Sequence, residues 1–226
     1  MALVGVDTRP MTRLDASVEQ DRAAIRNVVE NWVLYRDAAD WDRFATLWAP
    51  NGWMTATWFQ GPFTEFIEVS RAAFDKGVQI LHFLGGFTCD VDSDRAIAQT
   101  KMKIEQRATV HEVVVDVTCT GRFYDFFTCR EGQWRLVRRQ PIYESDRLSL
   151  VDPSGSLSLL QEELVAYPVG YRHLAYLQQH LGYAVMQDLP GLRGEPVQRL
   201  YREGKLWLEG SPEPGAVGKA PAIPVP

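Results

Sequence analysis

The chain has 226 residues, of which 46% are hydrophobic and 23% are charged, and its formal net charge is −5. This length and composition are typical of a globular protein with one main core, and they exclude a chain that is disordered throughout. Because the balance is acidic and the Lys and Arg residues are scattered, the sequence offers no basic surface for DNA or RNA, and we expect no nucleic-acid partner.

The first residues and the cysteines indicate the cellular compartment of the protein. The opening stretch MALVGVDTRP has no basic region and no apolar run of signal-peptide length. No segment reaches the roughly 18 apolar residues that a membrane span needs. The three cysteines Cys89, Cys119 and Cys129 lack a metal-type spacing, which predicts reduced thiols. We therefore expect a cytoplasmic protein that does not contact a membrane.

Three helices are predicted in the first part of the chain. Apolar residues recur at helical spacing over residues 17–39, which indicates a long amphipathic helix. The stretch DWDRFATLWAP predicts a short second helix that Asp40 caps and that the Pro-Asn-Gly sequence at 50–52 ends. The residues WMTATWF then alternate like a strand, and PFTEFIEVSRAAF predicts a third helix because it begins with proline.

Beyond residue 80 the sequence changes to strand patterns. The predicted strands are FTCDV, AIAQTKMKIEQRATV, EVVVDVTCTGRFYDFFTC and QWRLVRRQ, and the polar stretch REGQ predicts a hairpin turn before the last of them. Helices followed by a run of strands indicate the α+β class, in which a mostly antiparallel sheet wraps around the helices.

The chain after residue 150 is predicted as a separate unit. A break at DPSGS precedes two helical patterns, LSLLQEELVAYP and GYRHLAYLQQHLGY, and then a turn and a further helix in LPGLRGEPVQRLYREGKLWLEG. We therefore expect a first domain over residues 1–150, a helical C-terminal extension over 151–210 that serves as a lid or a subunit contact, and a disordered Pro- and Gly-rich tail over 211–226.

Two segments, YRDAADWDRFATLWAP and LHFLGG, carry a resemblance to a known family. In order and context they resemble the scytalone dehydratase branch of the SnoaL-like, nuclear-transport-factor-2-like (NTF2-like) superfamily, over about residues 15–145. The resemblance implies a cone-shaped curved sheet closed by helices around a deep apolar pocket. It also implies enzymes that use no cofactor, in which an aspartate near the end of the first helix supports a histidine from the sheet.

By this resemblance the two residues are Asp37 and His82. Elementary chemistry agrees, because a neutral imidazole is a suitable base at neutral pH and a carboxylate on its far nitrogen fixes the tautomer. His82 could instead be a hydrogen-bonded core residue, and Asp37 could be a helix-end cap.

Other positions depart from the family. Arg36 stands where the family has a tyrosine, and its guanidinium could bind a phenolate or oxyanion. Tyr35 could supply the missing hydroxyl or could pack. Where the family has a second histidine, this chain has Gln106 or Arg107. The WRLVRR run resembles the final strand of dehalogenating lyases in the superfamily, which makes Arg139 the anion-binding candidate, with a solvated edge residue as the alternative.

Aromatic side chains in this region are numerous and could line the pocket, although each one could equally be a core residue. Together they suggest a flat aromatic or polycyclic substrate. We also expect the hydroxyl of Tyr143 to stabilise an oxyanion. The candidates are Trp53, Trp58, Phe83, Phe87, Tyr124, Phe126 and Tyr143.

The remaining histidines do not predict a metal site. His173 and His180 share a helix face, but they are two turns apart, which is wider than the spacing of a helical metal pair. We expect both to be surface or interface residues and His111 to lie exposed at a strand turn.

The sequence thus predicts a lyase of dehydratase type without a cofactor or metal, acting on a hydroxylated aromatic or polycyclic small molecule through Asp37, His82, Arg139 and Tyr143. The alternatives are a carbon–carbon lyase that releases formaldehyde from an aromatic diol, an isomerase that uses an aspartate alone, and a non-catalytic binding module. By the resemblance we also expect a homo-oligomer, namely a trimer.

Overall fold

The computed structural model describes residues 16–212. The first part of the chain contains three helices, as predicted: α1 (Ala16–Asp37), α2 (Trp41–Thr46) and α3 (Phe63–Asp75). The apolar stripe of α1 is buried through Ile25, Val29 and Trp32. Asp40 caps α2 because its side chain accepts a hydrogen bond from the backbone N–H of Arg43. None of the helices over residues 16–212 has the length and apolarity of a membrane span.

Six strands form one curved, unclosed sheet. They are β1 (Trp48–Thr55), β2 (Gln60–Pro62), β3 (Gln79–Asp92), β4 (Arg95–Val110), β5 (Val113–Arg130) and β6 (Gln133–Leu150). Their spatial order is β2-β1-β6-β5-β4-β3. Only the β1–β6 pair is parallel. The predicted α+β class and mostly antiparallel sheet are confirmed.

Several strand boundaries differ from the prediction. The Pro-Asn-Gly stretch at 50–52 does not end α2; it lies inside β1, where the register with β6 shifts between Trp48 and Trp53. Such a bulge tolerates a proline, because the ladder is already interrupted there. The predicted REGQ turn is confirmed, with Glu131 at φ 52° and Gly132 at φ 73°, as a tight hairpin turn requires.

β3 and β6 are both longer than the sequence predicted. β3 begins at Gln79, so LHFLGG is itself strand, and β6 continues to Leu150. A strand can continue for as long as its neighbour offers backbone groups to pair with. β4 is the long partner of β3, and β5 is the long partner of β6. His82 therefore sits on an edge strand with a defined inner face.

The C-terminal extension contains α4 (Gln161–Leu164), α5 (Arg172–His180) and α6 (Glu195–Leu208). The helix predicted at LSLLQEELVAYP is thus a single turn. α5 is buried with the main core on the inner face of the sheet. α6 covers the opposite, outer face, where Tyr124 and Phe126 pack with Leu200 and Trp207. The sheet is therefore covered on both faces.

Asp146 and Tyr143 of β6 are among the residues that attach the extension to the sheet. Asp146 accepts hydrogen bonds from the backbone N–H groups of His173 at 2.6 Å and Leu174 at 2.8 Å, which satisfies the first turn of α5. β1 pairs with β6 only as far as Arg139, and further along β6 the backbone N–H of Tyr143 donates to Pro190 O at 2.8 Å. The predicted tail at 211–226 lies, from residue 213 onward, outside the described residues.

Candidate active site

A small hollow, with about 40 Å³ open to the centres of water-sized molecules, lies between α1 and the inner face of the sheet. Apolar side chains form most of its wall, and these are Trp32, Met54, Ala56, Trp58, Phe66, Ile80, Ile104, Phe123, Pro141 and Leu174. Six polar side chains also reach it: Arg36, Thr57, His82, Gln106, Tyr143 and Gln178. An apolar cavity with a few converging polar groups is the usual form of a small-molecule site.

Asp37 and His82 meet at one end of this hollow. Asp37 is the last residue of α1, and its Oδ1 lies 2.8 Å from the ring Nδ1 of His82. Its Oδ2 accepts a second bond, at 2.6 Å, from the backbone N–H of His82. The His82 side chain is 8% exposed, and the edge of its ring contacts Trp32 at a centroid distance of 5.4 Å. Because Nδ1 is bound to Asp37, Nε2 is the nitrogen that a ligand can reach.

Burial lowers the pKa of His82 below its ordinary value, and the charges of Arg36 and Arg139 lower it further, although the bond to Asp37 acts in the opposite direction. For Asp37, burial favours a higher pKa, but the hydrogen bonds and charges of His82 and Arg36 outweigh it, so the net pKa is lowered. At neutral pH the pair is therefore a neutral imidazole beside a carboxylate, which is the state a general base requires.

Arg36 lies beside this pair, whereas Tyr35 does not. The Arg36 Nη1 donates to Asp37 Oδ1 at 3.3 Å and to the carbonyl oxygen of Ile80 at 3.1 Å. Its Nε is buried without a hydrogen-bond partner among the described residues. Tyr35 is half-buried outside the hollow, with the guanidinium of Arg43 5.9 Å from its ring centroid. Tyr35 thus packs outside the hollow.

Arg139 lies on the inner face of β6 but behind the wall of the hollow. Its guanidinium donates two bonds to Asp125, at 2.8 and 2.7 Å, and both side chains are 0% exposed. The rings of Trp32 and Phe123 lie on it at 4.2 and 3.9 Å. The alternative of a solvated edge residue is wrong, and contact with a bound anion would need the aromatic wall to move. Arg139 thus pairs with Asp125 and is not among the residues that line the hollow.

The other polar groups of the hollow form a chain of hydrogen bonds. Thr57 Oγ1 donates to Gln178 Oε1 at 2.5 Å, and Gln178 Nε2 donates to Gln106 Oε1 at 3.0 Å. The Tyr143 hydroxyl lies within hydrogen-bonding distance of Thr57, and burial raises the pKa of Tyr143 well above its usual range. Tyr143 therefore stays protonated.

Thr57 and Gln178 were not among the residues predicted from the sequence. Gln178 belongs to α5 and lies one helical turn after Leu174, so both side chains point the same way. A glutamine on the apolar stripe of a helix was the available signal. Gln106, which was predicted, lines the hollow, whereas Arg107 points outward and pairs with Asp116 at 2.7 Å.

Of the predicted aromatic residues, Trp58 and Tyr143 line the hollow and the others do not. Phe83 follows His82 directly and therefore points to the outer face, where it is 47% exposed and lies 4.3 Å from Lys103 Nζ. Tyr124 and Phe126 also face outward, under α6. Trp53 and Phe87 are half-buried outside the hollow.

The other histidines have partners of their own away from the hollow. His173 Nδ1 lies 2.8 Å from Asp146, His180 Nε2 lies 2.9 Å from Glu163, and His111 Nε2 lies 2.8 Å from the Tyr176 hydroxyl. Over residues 16–212 no group of three or more His, Cys, Asp or Glu side chains is arranged to hold a metal ion.

Solved structures show a similar fold. A candidate scytalone dehydratase from Novosphingobium aromaticivorans superposes with a TM-score of 0.50 at 15% identity, covering 63% of this chain and 98% of that one. A hexachlorocyclohexane dehydrochlorinase, LinA type 2, superposes with a TM-score of 0.50 at 12% identity, covering 62% and 95% of the two chains. At these identities the likeness establishes the NTF2-like fold and nothing finer.

Sequence comparison reaches further along the chain. The pea pathogenicity protein 2 of Fusarium vanettenii is 35% identical over 207 residues, which cover 86% of this chain and 88% of the relative. A PEP2-like protein of the same fungus is 36% identical over 203 residues, covering 84% and 86% of the two chains. Since they cover 84–86% of the chain, these alignments extend beyond residue 150. The family of SnoaL-like domains matches residues 18–140. The chain therefore belongs to the SnoaL-like domain family.

Proposed function

We propose that this protein is a lyase of dehydratase type that needs no cofactor and acts on a hydroxylated aromatic or polycyclic small molecule. The observation that carries the proposal is the 2.8 Å contact between Asp37 and His82 Nδ1 at the end of an apolar hollow. The aromatic wall, with Trp32, Trp58 and Phe123, suits a flat substrate.

In the proposed reaction His82 Nε2 accepts a proton from a carbon or hydroxyl of the substrate. The electron pair left behind forms a double bond as the carbon–oxygen bond of the leaving hydroxyl breaks. The imidazolium returns its proton to that oxygen, and water leaves. Asp37 stays ionised throughout and stabilises the imidazolium, and such acid–base catalysis contributes about 10²–10⁴ in rate.

Arg36 and Tyr143 are the proposed groups that stabilise developing negative charge on the substrate. Both line the hollow, and Arg36 is a cation while Tyr143 is a neutral donor. Oriented donors of this kind contribute about 10²–10³ in rate. Arg139, which lies behind the wall, is left out of this proposal.

The proposed function is tested with purified wild type and the variant His82→Gln on a panel of hydroxylated aromatic and alicyclic compounds, with products identified by mass spectrometry. A dehydratase releases water, and wild type turns over while His82→Gln binds the same compound without turnover. Release of formaldehyde from an aromatic diol would identify a carbon–carbon lyase that uses the same base. Equal behaviour of both proteins on every compound would contradict a lyase and favour a binding module.

We also propose that the extension is the lid of the hollow, because Leu174 and Gln178 of α5 are part of its wall. The protein is expected to work in the cytoplasm as a homotrimer. Leu81 and Phe83, 49% and 47% exposed on the outer face of β3, offer apolar surface for such a contact. Light scattering after size-exclusion chromatography tests the trimer, and a monomer at micromolar concentration would overturn it.

A further inference from the structure

We infer that Gln178 and Thr57 orient the amide of Gln106 so that the hollow selects substrates with an uncharged acceptor oxygen, about one ring away from the proton that His82 removes. The inference rests on the proposed function for the identity of the reacting end. It concerns recognition at the opposite end of the same hollow, where none of the residues takes part in proton transfer.

The direction of the hydrogen bonds is the first step. Thr57 Oγ1 gives its proton to Gln178 Oε1, so the other end of that amide, Nε2, must donate, and it donates to Gln106 Oε1. With its oxygen occupied in this way, Gln106 offers its Nε2 donors to the hollow. The three side chains are almost fully buried, so no bulk water competes for these bonds.

The charges around this end are the second step. Among the described residues that line the hollow, Arg36 is the one with a permanent charge, and that charge is already paired with the carboxylate of Asp37. The end formed by Gln106, Gln178 and Thr57 is neutral. An uncharged carbonyl or hydroxyl oxygen therefore fits it, whereas a carboxylate or phosphate would be buried there without a counter-charge.

The register of β3 and β4 gives the spacing. His82 lies opposite Ile104, and Gln106 lies opposite Ile80, so His82 and Gln106 are diagonal neighbours on the inner face. The Cα atoms of diagonal neighbours lie about 7–8 Å apart. A molecule that reaches both side chains thus has its acceptor oxygen and its reacting atom on opposite sides of a single substituted ring.

Gln178 of the extension takes part in this recognition. A ligand without the acceptor oxygen would leave the amide N–H of Gln106 buried and unpaired, which costs affinity. We expect a discrimination of about 10- to 100-fold in dissociation constant between two ligands that differ only in that oxygen.

The probes are 1-indanone, which carries a carbonyl on a fused ring, and indane, which has the same skeleton without the oxygen. Both are titrated into full-length wild type by protein-observed NMR. Wild type is expected to bind 1-indanone about 10- to 100-fold more tightly than indane. Equal affinities, or no binding of either compound up to its solubility limit, would overturn the inference.

Variants separate recognition from catalysis and from folding. Gln106→Leu and Thr57→Val are expected to abolish the preference, Gln178→Leu to reduce it, and Thr57→Ser, which keeps the hydroxyl, to retain it. Loss of the preference in Thr57→Ser, or its survival in Gln106→Leu, would contradict the inference. His82→Gln is expected to keep the preference, so a failure of the proposed lyase activity would show in turnover alone. Thermal melting of each variant confirms that it is folded.

Discussion

Asp37 binds His82 through both carboxylate oxygens, one to the ring and one to the main chain, so a helix end and an edge strand are joined at a single side chain. The main-chain bond positions the strand, and the ring bond sets the tautomer. Substitution of Asp37 by Asn separates the two roles. The amide oxygen can still accept from the main-chain N–H of His82, but the amide NH2 group then faces the ring nitrogen and can only donate to it.

The variant Asp37→Asn is therefore expected to fold but to shift the His82 proton from Nδ1 to Nε2. Turnover should fall by about 10²–10⁴, because the nitrogen that faces the hollow no longer accepts a proton. Nitrogen-15 shifts of the imidazole report the tautomer directly. Asp116→Asn, at the exposed pair with Arg107, is the matched control. An unchanged tautomer in Asp37→Asn would contradict this assignment.

The pH dependence of His82 follows from its lowered pKa. An NMR titration should give a His82 pKa below the ordinary ~6.5, and activity should persist below that pH and fall only as His82 becomes protonated.

The stability of the fold should depend on the same proton. Because the unfolded chain takes up this proton at a higher pH than the folded protein, the stability that neutral His82 confers is complete above about 6.5 and decreases as the pH falls toward the folded pKa. Asp37→Asn should lower the pKa further, since it removes the charge that raises it. A His82 pKa above 6.5 would contradict the burial argument.

The buried pair of Arg139 and Asp125 is expected to stabilise the fold and not to bind substrate. Arg139→Met should lower the free energy of unfolding by about 3–5 kcal/mol, because the carboxylate of Asp125 is left buried without its partner. The double variant with Asp125→Leu should recover much of this loss. Urea unfolding measures both, and Arg107→Met at the exposed pair serves as the control with little effect. Full stability of Arg139→Met would show that the pair is dispensable.

Because α6 packs closely against the sheet at Gly204, a larger residue at this position is expected to destabilise the protein. A Cβ there would lie 2.0 Å from the Tyr124 hydroxyl, which is itself buried. Gly204→Ala should therefore destabilise the protein by about 1–3 kcal/mol in thermal or urea unfolding. Gly86→Ala is the control, because within residues 16–212 no atom beyond its chain neighbours lies within 4 Å of a Cβ at that position. Equal effects of the two changes would mean that α6 does not pack as closely as described.

Asp146 is expected to hold α5 against the sheet. It accepts from the backbone N–H groups of His173 and Leu174, so Asp146→Ala removes the cap of the helix that carries Gln178. Loss of a cap costs about 0.5–2 kcal/mol, and hydrogen exchange of the α5 amides should accelerate accordingly. Asp152→Asn, in the exposed turn after β6, should leave that exchange unchanged. Unaltered α5 exchange in Asp146→Ala would contradict the role.

Local patterns in the sequence predicted much of the fold. The apolar stripe of α1 and the REGQ turn depend on neighbours within a few residues, and both are confirmed. The two motifs around Asp37 and His82 were predicted to come together, and the structure shows that contact, although the catalytic role stays a proposal.

The facing of strand residues was harder to predict. Phe83 and Tyr124 were expected in the pocket and face outward instead, because each is one position away from an inner-face residue, and a one-residue error exchanges the two faces of a strand. Thr57 and Gln178 were missed because they lie 121 positions apart, and a single sequence carries no local signal for such a contact. Arg139 was placed on the correct face, but its burial behind Trp32 depends on how the helix packs.

The bond between the Tyr143 main chain and Pro190 has a consequence for how this fold can diversify. β1 stops short of this point, so the connector between α5 and α6 acts as the missing neighbour of β6 beside Tyr143, whose side chain lines the hollow. Changes in that connector can therefore change the shape of the hollow while every side chain that lines it stays the same. Relatives with identical lining residues but different connectors should differ in the compounds they accept.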